Sequence, residues 1–192
     1  MASTRWAPLL GWMAAAGAAV ALAFFSPYER LVLGRLPSAA SQRLAEVQRV
    51  SPPELPPRRV LALVAFEGSP REEVQGWIDG LQLQREYRIA WVKLPVVQDP
   101  GDEASRRDIE RRLRERWPRL AERSRLVPLF IDRAAFVREA GLSDPDHAGV
   151  LVLDREGNVL ARAQGPFDPA KAQALRETVL AQNDDELVRA GP

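Results

Sequence analysis

Cysteine is absent from this chain, and histidine occurs once, at His147. Without a thiol there can be no disulfide, thiolate nucleophile, iron–sulfur cluster or cysteine-ligated zinc, and a single imidazole rules out any site that needs two. Lysine is also scarce. Only Lys93 and Lys171 accompany the arginines among the 27 basic residues, a skew that reads as compositional bias before function. The 27 basic residues are balanced by 26 acidic ones, so the chain lacks the charge excess that tracks a phosphate backbone. No nucleic-acid partner, metal or cofactor is expected. What is present, 192 residues with 46% hydrophobic and 28% charged, supplies one good core and an appendage.

From Trp6 to Phe25 stand 20 uncharged residues, close to the ~20 that span a ~30 Å hydrocarbon core as helix. We read residues 1–26 as a membrane anchor. The alternative is a secretory signal, with Arg5 in its basic region and Ala21-Leu22-Ala23 as a small-residue cleavage site. Arg30, Arg35 and Arg43 after the run would hold the domain in the cytoplasm by the positive-inside rule, whereas signal-like leaders export the domain behind them. An exported, periplasmic domain on a single-pass anchor is the expectation, or a secreted one after cleavage. Residues 27–59 read as a spacer, with a short helix from Ser41 to Val50 and extended geometry imposed by Pro52, Pro53, Pro56 and Pro57.

The domain, 60–182, is organised around VLALVAFEGSPREEVQGWIDG. Seven apolar residues from Val60 to Phe66 predict a strand covered on both faces. Ser69, with Pro70 behind it and Glu72 three positions on, predicts an N-cap, and Val74, Trp77, Ile78 and Leu81 give the helix an inward face. Arg88 to Val97 predicts a second interior strand parallel to the first. Glu103 to Trp117 predicts a helix with Ile109, Leu113 and Trp117 on one side, ended by Pro118, its arginines interleaved with acids as a solvated face. Arg125 to Ile131 reads as a third strand, edge or irregular because of Pro128. Asp132 and Gly141 bracket a short helix, Val150 to Ala163 is a hairpin turning at Asp154 to Asn158, and Asp168-Pro169 starts a last helix to about Gln182. Residues 183–192 read as a tail. Phe66, Trp77, Ile89, Trp91, Leu129, Leu151 and Val159 are the expected core.

This order of elements, carried by the first strand running into a capped helix, by VPLFID before a short helix, and by GVLVLDREGNVLARAQG before a closing helix, resembles the α/β thioredoxin-like fold in its peroxiredoxin or TlpA-like form. The stretch Leu142 to Leu180 is also similar to the mitochondrial ATP synthase assembly-factor family of thioredoxin-like proteins. The resemblance implies a mixed central sheet flanked by helices. It also implies a redox turn before the first helix and a cis-proline before the hairpin. Glu67-Gly68-Ser69-Pro70 occupies the first place and Ala148, preceded by His147, the second, so both halves of a thiol site are missing.

Five residues at these places, Glu67, Gly68, Ser69, His147 and Ala148, form the candidate binding site. Ser69 as a nucleophile has no base near it in sequence and fits a cap. Glu67 is a lone carboxylate in a turn. Asp144, Asp146 and His147 offer ligands to a hard cation but fall short of a self-sufficient set, and Asp-Pro-Asp is ordinary loop chemistry. No catalytic residue is assigned. The expected function is a redox-inactive, membrane-anchored interaction domain, an assembly or chaperone factor whose partner is a protein, in particular a membrane complex. The alternative is an enzyme that works the same pocket with Glu67 or His147.

Overall fold

The computed structural model describes residues 32–50, 59–117 and 123–181. Residues 1–26, expected as a membrane anchor, Pro52, Pro53, Pro56 and Pro57, and residues 183–192 lie outside the described residues. Among those described, no helix is long and apolar enough to cross a membrane.

In chain order the elements are β1 (Gly34–Arg35), α1 (Ser38–Val50), β2 (Arg59–Phe66), α2 (Arg71–Gly80), β3 (Trp91–Val97), α3 (Glu103–Arg116), β4 (Leu129–Phe130), α4 (Arg133–Ala140), β5 (Gly149–Asp154), β6 (Asn158–Gln164) and α5 (Pro169–Leu180). One sheet runs β1-β6-β5-β2-β3-β4. β2 pairs parallel with β3 and antiparallel with β5, which pairs antiparallel with β6. Because side chains alternate across a strand, the apolar run of β2 serves two cores. Ala62, Val64 and Phe66 meet Leu36, Ala40 and Leu44 and, from α4, Phe136 and Ala140. Leu61 and Leu63 meet Trp77 and Ile78 of α2 and Leu175 and Val179 of α5. The seven residues expected in the core are all buried.

Local signals place most element ends. Asp132 Oδ1 accepts the N–H of Ala135 at 2.7 Å, and Gly141 closes α4 at φ 72°, a conformation that costs glycine least. Asp168 Oδ1 accepts from Ala170 and Lys171 at 2.8 and 3.1 Å. On α3, Arg112–Asp108, Arg114–Glu110 and Arg111–Glu115 pair at i,i+4 spacing, the solvated face that the interleaved charges predict. The third strand shortens to Leu129–Phe130 at the sheet edge beside Pro128, with one further bridge from Leu126 to Lys93. The second strand begins at Trp91 instead of Arg88, and the last helix ends at Leu180.

The spacer reading needs correction. Leu36, Ala40 and Leu44 are buried, at 2%, 2% and 3% exposure, in the same cluster as the sheet. Ala40 and Leu44, four apart, form the inward stripe of a helix that starts at Ser38, three residues before the expected Ser41, and Leu36 packs beside them from just ahead of it. β1 adds an edge to the sheet through Gly34 opposite Val159, and Leu36 N–H donates to Gly157 C=O at 2.8 Å. Residues 32 to 46 are therefore part of the domain.

Candidate functional site

The apolar strand β2 delivers its C-terminal end, Phe66, to the turn Glu67-Gly68-Ser69, and α2 starts beyond it. Ser69 does not cap this helix, contrary to expectation. The N-cap is Pro70, extended at φ −61° and ψ 128°, and no side chain accepts a hydrogen bond there. The Ser69 hydroxyl closes the turn instead, donating to Phe66 C=O and accepting Phe66 N–H, both at 3.0 Å. With its oxygen engaged on the backbone it is held as a turn element. Glu67 and Gly68 are exposed, and a Cβ on Gly68 would meet nothing within 4 Å, so space does not demand glycine there.

The group that ties the site together is Glu73, in the first turn of α2. It is buried, 7% exposed. One carboxylate oxygen accepts the Ala148 N–H at 2.8 Å and the other lies 2.9 Å from His147 Nδ1. Ala148 is buried while the His147 side chain is half-exposed. The hydrogen bond to Glu73, together with that carboxylate's charge, raises the imidazole above its ordinary range, and Asp144 and Asp146 add to this. A buried carboxylate with two partners is the arrangement that makes its burial tolerable.

The loop before β5 is fixed from its other side too. Asp144 Oδ1 accepts the N–H groups of Asp146 and His147 at 3.0 and 3.3 Å, and the Gln164 amide donates to the Asp144 carbonyl at 2.7 Å. Ser143 N–H donates to Gln164 Oε1 at 2.8 Å and Gly165 N–H to Ala148 C=O at 2.9 Å. The Asp144 carboxylate thus shapes its own loop, and among the described residues no three acidic or histidine side chains gather as a metal site. Among them also no peptide is cis, Ala148 included.

Of the five residues expected at the site, His147 and Ala148 converge on Glu73, and Glu67 and Ser69 line a separate cavity of about 550 Å³ between α2 and α3. Glu73 was missed. The signal for it is its spacing: it lies four residues before buried Trp77, a carboxylate on the inward stripe of α2 where a hydrophobic residue would be ordinary.

A parallel β2-α2-β3 unit, an antiparallel β5-β6 hairpin on the other side of β2 and a closing helix define a thioredoxin-like domain, here without a cysteine. Among the solved structures to which the chain is similar are thiol:disulfide interchange proteins and a thioredoxin. A thiol:disulfide interchange protein DsbE from Chlorobium tepidum matches at 17% identity over 72% of this chain and 83% of that one, with a TM-score of 0.40. The pneumococcal exposed lipoprotein thioredoxin of Streptococcus pneumoniae matches at 16% identity over 63% and 85%, TM-score 0.39. A thiol:disulfide interchange protein from Bacteroides sp. matches at 13% over 70% and 76%, TM-score 0.37. The strand order, and not these scores, carries the fold assignment. No protein-family model and no curated protein matches the chain.

Proposed function

We propose that this chain is a redox-inactive thioredoxin-like domain that binds protein, tethered to a membrane by residues 6–25 and serving as an assembly or chaperone factor for a membrane complex. The observation that carries the reading is the Glu73 bridge. At the helix start where this fold can hold a thiolate, a buried carboxylate is occupied by Ala148 N–H and His147, in a chain with no cysteine. A place so occupied presents a rigid surface, built of the turn at Glu67 to Ser69 and the exposed edge of His147. Support for the tether is the uncharged run of 20 residues, and support for the assembly role is the resemblance of Leu142 to Leu180 to the assembly-factor family.

The test is affinity purification of the full chain from detergent-solubilised membranes, with identification of what accompanies it. One membrane complex recovered with the chain, and lost with Glu67→Arg at unchanged folding, supports the reading. Recovery of the chain alone, or in the soluble fraction, counts against it. The acid–base alternative rests on His147, whose Nδ1 is oriented by Glu73. It predicts a turnover whose pH dependence vanishes in His147→Gln.

A further inference from the structure

The end of the domain at which β2 and β3 begin carries a basic patch that neither core uses. It is built on the turn of residues 81–88, between α2 and β3. Tyr87 stands out from this turn at 95% exposure, with exposed Arg85 and Arg88 close to it in the chain. Arg176 of α5 joins the turn from one flank, donating to Leu81 C=O at 2.9 Å and pairing with Glu86 at 3.2 Å. On the other flank the Trp91 indole donates to Leu83 C=O at 2.9 Å, and the Arg125 guanidinium carbon lies 4.5 Å from the centroid of the indole ring. Four arginines thus border one turn.

Their charge survives the pairings. Glu86 is shared, one oxygen 3.3 Å from Arg88 Nε and the other 3.2 Å from Arg176, and one carboxylate cannot neutralise two guanidinium groups. Among the described residues Arg85 has no acidic partner. Arg125 donates to Trp91 C=O at 3.4 Å, and burial lowers its ionisation from the ordinary value with no acid contributing, so it stays a cation. Even with Asp79 at the end of α2 counted beside Glu86, four cations face two acids and the patch is positive. Clustered basic residues draw anionic headgroups, and a guanidinium matches phosphate as a fork. A tyrosine among them suits the headgroup level, where its ring meets apolar chains while its hydroxyl stays wet. The apolar run ends at Phe25, six residues before Val32, a reach of about 20 Å, so a chain tethered by it keeps headgroups available to the domain. We propose that the turn of residues 81–88, with Arg125 and Arg176 at its flanks, docks on the surface of a bilayer that contains anionic phospholipid. This docking takes its setting from the membrane tether proposed above, while the lipid contact itself stands without it.

The chain lacks cysteine, so Gln84→Cys places a single thiol on the exposed turn for an environment-sensitive fluorophore. The labelled full chain is reconstituted with vesicles of phosphatidylcholine alone and of phosphatidylcholine with an equal part of phosphatidylglycerol. Emission is expected to shift to the blue only with phosphatidylglycerol at about 0.1 M salt, and the shift should vanish at about 1 M salt, where the screening length falls to about 3 Å. Arg85→Glu should weaken the docking by about tenfold at an unchanged denaturation midpoint, because its side chain has no acidic partner to lose. Sedimentation with phosphatidylcholine alone reads the tether separately. A chain left in the supernatant there fails the tether, while a blue shift with phosphatidylglycerol still upholds the patch. Equal emission with both lipids overturns the proposal. So does indifference to Arg85→Glu in a folded protein. A shift produced by polyglutamate and not by phosphatidylglycerol also overturns it, and assigns the patch to an acidic protein.

Discussion

The carboxylate of Glu73 accepts the backbone N–H of Ala148 at 2.8 Å, joining the first turn of α2 to the start of β5 at a buried point. In Glu73→Ala that N–H would be left buried without its acceptor, at a cost of about 1–3 kcal/mol. Glu73→Gln keeps an acceptor oxygen and should lose clearly less. Urea midpoints of both variants decide the matter. Equal losses would mean that the negative charge, and not the accepted hydrogen bond, is what the site needs.

His147 gives the bridge a pH dependence. Its folded value is raised, mainly by the hydrogen bond to Glu73 and then by that carboxylate's charge, with Asp144 and Asp146 contributing. A raised value means that the contribution is fully present below the unfolded value of about 6.5 and is lost as the pH climbs through the folded value. Relative to His147→Asn, the parent chain should therefore gain in melting temperature as the pH falls from alkaline to mildly acidic. A difference between the two that stays flat over that range would show that the ring is not coupled to Glu73 in solution.

Ser69 should behave as a turn residue. Ser69→Ala removes the contacts to Phe66 C=O and N–H and should cost about 1 kcal/mol. Aspartate would be nearly neutral at an N-cap, but here it cannot donate to Phe66 C=O, so Ser69→Asp should be at least as destabilising as alanine. A neutral Ser69→Asp in chemical denaturation would restore the cap.

The segment before the prolines should respond as core. Leu36→Ala and Leu44→Ala are expected to cost about 2–5 kcal/mol each, the range for truncating buried leucines. A passive spacer would lose almost nothing, so two denaturation curves separate the readings.

Much of this architecture was legible because its signals are local. Asp132 with Gly141, Asp168 with Pro169 and the turn from Asp154 to Asn158 each announce an element end within a few residues. The unbroken Val60–Phe66 run fixed a strand covered on both faces, and the hairpin supplied its antiparallel neighbour. Leu36, Ala40 and Leu44 were obscured because their spacing lies between a short edge strand and a row of prolines. Their burial depends on contacts with β6 and the sheet far along the chain. Ser69 was misread because one sequence serves two geometries, a cap on the next helix or a closure of the preceding turn, and the extended Pro70 selects the second. Glu73 was hidden for a third reason. Its partners are a backbone N–H and an imidazole brought to it by the tertiary fold, and nothing adjacent in sequence marks them.

The position of β2 also bears on how the chain folds as it is made. Its parallel partner β3 comes after one helix, but its antiparallel partner β5 emerges only after α3, β4 and α4. Pairings so distant in sequence slow folding, because much loop entropy is lost before they form. During that interval the most apolar strand of the domain has an open edge, the kind of surface on which nascent chains associate. A chain interrupted between Val97 and Gly149 then holds β2 against β3 on one edge and bare on the other, and release of the closing hairpin from the ribosome becomes the step that makes the protein safe from its own core.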